Sequence, residues 1–223
     1  MSKRIILCAD CEGTPDQLER IWKVFVRQGL KVNFFFTGQT ALENRDLVRE
    51  IARTQNVDSH TFSHPNLRSM PKSAQRYEIL KGRDTVESII GRRTYGFRAP
   101  FHAINGHTVD VLNEEGFVYD LSVLYYRYPM HEVIEIHPSW FREWTGLYEQ
   151  LGFTPRFGWN IIKGLLALFN PLVIPLHPHY SGRDDAFAAA MEEFASFAMR
   201  RGARFLFVPE YLRMTGRAIP DEH

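Results

Sequence analysis

The sequence predicts an α/β fold, a single deformed (β/α)7-8 barrel with parallel strands, built by residues 1–223 as one domain. Three observations lead there. Eight short strand-like runs alternate with six or seven helical patterns, and strands separated by helices pair in parallel. No linker or internal repeat interrupts the alternation, and 223 residues is an ordinary length for one such barrel. The polar residues with the most distinctive chemistry, Asp10, Glu12, His60, His64, Arg98, Asp120 and His177, all stand at the ends of strand-like runs. Barrels of this class carry their chemistry at the C-terminal ends of the strands, whereas a random scatter would put several of these residues at strand starts.

Each element has its own signal. Lys3 to Ala9 is an apolar strand-like run that ends at Asp10. Thr14, Pro15 and Gln17 make an N-cap, a first helical proline and a capping box. Leu18, Ile21, Trp22, Phe25 and Val26 then repeat at helical spacing until Gly29 closes the helix. Lys31 to Thr37 is a second, buried strand, and Leu42, Leu47, Val48 and Ile51 mark a second helix. Val57 to Phe62 is the third strand. A longer helix between Ser73 and Ile90 takes Tyr77, Leu80, Val86, Ile89 and Ile90 as its apolar set.

Thr94 to Arg98 is a short fourth strand, followed by a short helix through Val109 and Leu112 that Gly116 stops. Phe117 to Val123 and Glu132 to Ile136 are strands five and six, with no helix expected between them, which deforms the barrel. Trp159 to Phe169 reads as a helix, Leu172 to Leu176 as a seventh strand ending at His177-Pro178-His179. Asp184 to Arg201 is amphipathic through Phe187, Met191, Phe194 and Ala198, and Arg204 to Val208 is the eighth strand.

Composition narrows the function classes. Net charge is +1 and there is no basic run, so nothing predicts nucleic-acid binding. The longest apolar run, Ile161 to Leu176, is broken by Lys163, Asn170, Pro171 and Pro175 and is too short to span a bilayer. Met1-Ser2-Lys3-Arg4 shows no apolar h-region or cleavage site, so no signal peptide is visible and a cytoplasmic location is the expectation. A chain trimmed from a longer one would look the same. Two cysteines are too few for a disulfide framework. Cys8-Ala9-Asp10-Cys11 matches a redox dithiol spacing, but that motif opens a helix and Cys8 lies inside a strand-like run.

The chemistry centres on Val57-Asp58-Ser59-His60-Thr61-Phe62-Ser63-His64-Pro65. Pro65 disfavours an α conformation at His64, so the two imidazoles sit at a strand end and the loop after it rather than on a helix face. Two neutral imidazoles held there can bind a divalent metal such as zinc, given one more ligand and an open position.

The order Asp-x-Glu-Gly, Ser-His-Thr-Phe-Ser-His-Pro, Phe-Arg-Ala-Pro-Phe, Tyr-Asp-x-Ser and Leu-His-Pro resembles the polysaccharide deacetylase family, carbohydrate esterase family 4 or the NodB homology domain. The resemblance covers nearly the whole chain, and Tyr119-Asp120-Leu121-Ser122 with Leu176-His177-Pro178 is similar to its exopolysaccharide-locus branch. It implies metal-dependent hydrolysis of an N-acetyl group from an amino sugar. Such hydrolysis needs a nucleophilic water, a base, an oxyanion donor and an acid for the leaving amine. A metal on two histidines and a carboxylate keeps an open position and acidifies its water. The family's usual first motif has two adjacent aspartates, base then ligand. Here Asp10 is the candidate base, Cys11 occupies the second slot, and Glu12 with its longer side chain is the candidate third ligand beside His60 and His64. Cys11 remains the competitor, since thiolate suits zinc.

Arg98, expected to be nearly buried, must pair with carboxylates, and Asp10 and Asp120 are the nearest plausible partners. Its expected role is to hold the base ionised and oriented. Pro100 fixes the turn that follows, and the backbone N–H of Phe101 stands where the family places its oxyanion donor. His177 is the candidate acid, with Asp120 holding its other ring nitrogen. His179 competes, because on an extended segment the two would point the same way. His102, His107, His131, His137 and His223 have no partner pattern and read as ordinary histidines.

Trp140, Phe141, Trp144, Tyr148, Phe153, Phe157 and Trp159 make an aromatic segment that is either a sugar platform or a loop with its own small core. The partners expected are an N-acetylated saccharide or related amide, with oligomeric state open. The ion expected is zinc, with Co2+, Ni2+ and Mn2+ not separable by ligand type. Two other readings use the same residues. One is a deformylase or cyclic-amide hydrolase, possible without metal given the altered first motif. The other is a carbohydrate-binding barrel without turnover, for which Asp10 and His177 would serve no purpose.

Overall fold

The computed structural model describes residues 2–122, 132–139, 152, 154–217 and 219. The chain divides into two compact units, residues 1–33 with 139–216 and residues 34–138 with 217–223. The strand β2 (Val32–Phe36) carries the chain from one to the next.

In the first unit β1 (Arg4–Cys11) lies between β7 (Leu172–Leu176) and β8 (Arg204–Phe205), parallel to both. The register aligns Ile5 with Leu172 and Ala9 with Leu176, so the next pair, Asp10 still on β1 and His177 just past β7, stand side by side. The helix α1 (Pro15–Arg27) begins with the capping box expected, Thr14 and Gln17 exchanging side-chain and backbone bonds. It buries Leu18, Ile21, Trp22, Val24 and Phe25. Val26, expected on that face, is exposed, and Val24 takes its place. Asn33 is the polar residue of an otherwise apolar β2. Its side chain donates to the Leu7 carbonyl at 3.0 Å and accepts from Val208 N–H at 2.8 Å, so its burial leaves no amide atom wasted.

Residues Cys8 and Cys11 both lie on β1 and are buried. Three positions apart on a strand, they face opposite sides with Cα atoms about 10 Å apart, beyond the ~7 Å a disulfide can span. A redox dithiol is thereby excluded.

The second unit carries α2 (Gly38–Glu43), α3 (Arg45–Ala52), β3 (Asn56–Ser59), α4 (Lys72–Ile90), β4 (Gly96–Phe97), α5 (Gly106–Glu114), β5 (Tyr119–Asp120) and β6 (Ile134–Glu135). The single second helix expected is two, because Asn44 leaves helical geometry at φ −125° and caps α3. Strands β3 to β6 pair in parallel in sequence order. Their apolar support comes from Leu67, Ile79, Phe97, Ile104, Val111, Leu112 and Phe117. At the strand starts Asp58, Asn56 and Tyr119 form a buried network in which Asp58 accepts from Tyr119 Oη, Asn56 Nδ2 and the Tyr95 and Gly96 N–H groups. Burial pushes the Asp58 carboxyl up, against those bonds.

The remaining helices belong to the first unit: α6 (Pro155–Leu168), α7 (Pro178–Ser181), α8 (Asp185–Arg200) and α9 (Val208–Met214). In the first unit β7 and β8 flank β1, in the second the order is β3-β4-β5-β6, and every one of these pairings is parallel. Several strands are shorter than expected. Val208, for example, starts α9 rather than ending β8, with Pro209 in its first turn. Residues 123–131, where no helix was expected, lie outside the described residues, as do Trp140, Phe141, Trp144, Tyr148, Phe153, His131 and His223. Among the described residues no helix is long and apolar enough to cross a membrane.

Candidate active site

In the first unit the ends of β1 and β7 bring Asp10 and His177 together, Oδ2 to Nε2 at 3.5 Å. Asp10 is 4% exposed, so this carboxylate meets little water. The segment after His177 is not extended: Pro178 opens α7, with His177 as its N-cap. The two histidine rings stay neighbours, 5.5 Å apart and edge to face, but they take different partners. His179 instead donates from Nδ1 to the Glu12 carbonyl at 3.1 Å. Its pKa is lowered, first by burial and then by the neighbouring His177, against the pull of Glu12 and Asp10.

In the second unit His60 follows β3 directly. Its N–H donates to Phe36 O at 2.9 Å, and its Nδ1 faces the carbonyl oxygen of Arg98 at 2.6 Å. A carbonyl only accepts, so Nδ1 carries the hydrogen and Nε2 is the nitrogen with a lone pair to offer. The His64 ring lies 5.1 Å from that of His60, and Phe101 meets it edge-on at 4.7 Å. Backbone strain accompanies this arrangement. Thr61 (φ 67°), His64 (φ 62°), Phe101 (φ 57°) and His102 (φ 53°) are all left-handed without being glycine, a pattern that clusters at functional sites. Phe101 is 63% exposed.

Arg98 is fully buried and donates from Nη1 to Leu121 O at 3.2 Å and from Nη2 to His102 Nε2 at 3.3 Å. The other ring nitrogen of His102 donates to Ser122 O at 2.8 Å. His102, which sequence reasoning set aside, is therefore a structural partner of Arg98. The left-handed turn at residues 101–102 folds it back, and no local pattern announces that. Ser122 is a second residue missed: its Oγ accepts from Ala99 N–H at 2.7 Å and donates to Asp120 Oδ1, which also takes Ser122 N–H at 3.1 Å. Burial pushes the Asp120 carboxyl up to about 6, against hydrogen bonds with Ser122 and Glu135 and the charge of Arg98.

One donor set among the described residues fits a metal ion. In the second unit His60 and His64 offer two imidazoles with ring centroids 5.1 Å apart, and in the first unit Glu12, just past β1, offers a carboxylate. Two imidazoles and a carboxylate are the chemistry of a catalytic zinc site with a position left open. The carbonyl held by His60 Nδ1 is the kind of outer partner that orients a ligating imidazole.

Comparison with known proteins gives a consistent picture. A family profile described as polysaccharide deacetylase matches residues 2–119. A peptidoglycan deacetylase-like protein of Gibberella zeae is 30% identical over 110 residues, 47% of this chain and 32% of its own length. A peptidoglycan-N-acetylglucosamine deacetylase of Bacillus cereus is 27% identical over 110 residues, 49% of this chain and 38% of its own. The chain thus spans about a third of the length of these curated relatives. The family 4 carbohydrate esterase of Streptomyces lividans, solved in complex with acetate, superposes with a TM-score of 0.71 at 19% identity, covering 98% of both chains. That likeness shows the fold, the deformed (β/α) barrel expected from the sequence.

Proposed function

Because the chain belongs to the polysaccharide deacetylase family, we propose that it hydrolyses the N-acetyl amide of an amino sugar with a divalent cation held by Glu12, His60 and His64. The observation that carries this reading is the pair of imidazoles, His60 and His64, held 5.1 Å apart where β3 ends. Zinc suits the donors, and Co2+, Ni2+ or Mn2+ fit them as well. When bound, such an ion polarises the amide carbonyl and acidifies a water.

The protein's own residues do the rest. Asp10 takes the proton of the attacking water, and its burial keeps bulk solvent from competing for that carboxylate. The Phe101 N–H, in the turn opened by Pro100, donates to the carbonyl oxygen as it gains negative charge. His177 protonates the leaving amine, which departs as the free amino sugar while the acetyl group leaves as acetate. Arg98, tied to the backbone at Leu121, supplies a fixed positive charge, and Asp120 is the carboxyl that feels it. The substrate class follows the Bacillus cereus relative, a saccharide containing N-acetylglucosamine.

The test is acetate release from N-acetylglucosamine oligomers before chelation, after it, and after restoring Zn2+ or Co2+. Activity should vanish and return, and His60→Ala should neither bind metal nor turn over. Full activity in the chelated protein refutes the mechanism. Formate release from an N-formyl analogue without acetate release would move the assignment to a deformylase.

A further inference from the structure

We propose that Glu78, on α4 and outside every motif of the chain, is the positioning residue that holds the His60–His64 loop in its ligand-presenting shape. This rests on reading His60 and His64 as metal ligands. The loop is costly to build. Thr61, β-branched and fully buried, sits at φ 67°, and His64 at φ 62°. Left-handed geometry is unfavourable for an L-residue, and it persists only where the surroundings over-determine it.

Helix α4 supplies part of that determination. Glu78 Oε2 accepts from Phe62 N–H at 3.2 Å and Ser63 N–H at 2.8 Å, and Oε1 accepts from Ser63 Oγ at 2.9 Å. One buried carboxylate thus binds both residues in the middle of the loop through both its oxygens. One turn further along the same helix face stands Gly82. A Cβ there would overlap the Thr61 carbonyl, so glycine is what lets the loop backbone rest on α4. From the other side the first turn of α2 donates Gly38 N–H to Thr61 O at 2.9 Å and Gln39 N–H to Phe62 O at 3.0 Å.

The consequence for the ligands is geometric. His60 is pinned separately, through Phe36 O and Arg98 O. The path from it to His64 runs through Thr61, Phe62 and Ser63, and Glu78 grips the latter two. A carboxylate accepts at both oxygens, whereas a glutamine keeps one acceptor oxygen for the two N–H groups and turns an amide donor to Ser63 Oγ, which must then switch from donor to acceptor, so the grip is altered at one end. Groups that hydrogen-bond a ligating imidazole alter metal affinity by about 10- to 100-fold when changed, and Glu78, acting one step further out through the loop backbone, is expected at the low end of that range.

The experiment titrates the full chain with Zn2+ and Co2+ by calorimetry, and reads the visible Co2+ spectrum, for wild type, E78Q, S63A and E87Q. Glu87 is the control: it also sits on α4 and accepts from a loop, from Thr94 N–H at 2.8 Å and Thr94 Oγ1 at 3.2 Å, away from the histidines. Metal affinity should fall about 10-fold in E78Q with an altered Co2+ spectrum, fall several-fold in S63A, and stay at the wild-type value in E87Q even where its melting point drops. A folded E78Q with wild-type affinity and spectrum overturns the proposal. If E78Q fails to fold, S63A decides in its place, and unchanged affinity there overturns it equally. Wild-type protein that binds neither ion would remove the ligand assignment itself, an outcome distinct from a variant that binds as well as wild type.

Discussion

Replacing Asp120 by asparagine should stabilise the protein while impairing it. Asp120 is fully buried, and its carboxyl rises from the ordinary 3.8 to about 6 on folding, chiefly because burial disfavours the charge. A group raised on folding holds in the native state a proton that the unfolded chain has already lost. Stability contributed by that proton is complete below about pH 4, declines as pH rises to about 6, and is gone above. At about 1.4 kcal/mol for each tenfold change in proton affinity, the difference amounts to about 3 kcal/mol at pH 7.5. Asparagine copies the protonated form. Its oxygen can take the two Ser122 donors and its amide can donate toward Glu135. Urea unfolding of wild type and D120N at pH 4.5, 6 and 7.5 reads the effect. D120N should be more stable at pH 7.5 by up to about 3 kcal/mol, with the gap shrinking toward pH 4.5. Deacetylation should fall, since the charge facing Arg98 is removed. A variant less stable than wild type at every pH, with the same slope, would refute the assignment of Asp120 as a carboxyl ionised against its surroundings.

Two further outcomes follow from the same geometry. Because His177 and not His179 faces Asp10, H177N should lose about 100-fold or more in kcat, the order of a general acid's contribution, while H179N keeps most of it; steady-state acetate release separates them, and equal losses would leave the acid unassigned. S122A removes the acceptor of Ala99 N–H and a donor to Asp120, so it should cost about 1–3 kcal/mol in denaturant unfolding and move the pH window of stability upward, since the Ser122 bond lowers the Asp120 pKa.

What the sequence disclosed and what it concealed divide along a physical line. The strand ends at Asp10 and His177 were legible because a run of apolar residues stopping at a charged or imidazole group is a local pattern, and at His60 Pro65 excluded the helix that His-x-x-x-His otherwise suggests. Thr14 to Gln17 was legible for the same reason: the cap lies within four residues and forms as read. The buried stripe of α4 was not. An apolar search picks Tyr77, which is 58% exposed, and passes over Gln75, Glu78 and Gly82, which are buried. Helical periodicity assumes that the face turned inward meets other side chains. Here part of that face meets the backbone of a loop, and a backbone asks for a hydrogen-bond acceptor and for room, not for a hydrocarbon.

The same distinction explains His102. Nothing within a few residues marks it as a partner of Arg98, since the pairing depends on two consecutive left-handed residues that bring its ring back. Metal ligands are restricted to a few residue types at strand ends and so leave a signature along the chain. The groups that hold them answer to backbone geometry, which many residue types can satisfy from any distance in sequence. Changes at Glu78 and Gly82 should therefore alter the presentation of His60 and His64 as much as changes nearer the motif do, although neither residue carries any chemistry of its own.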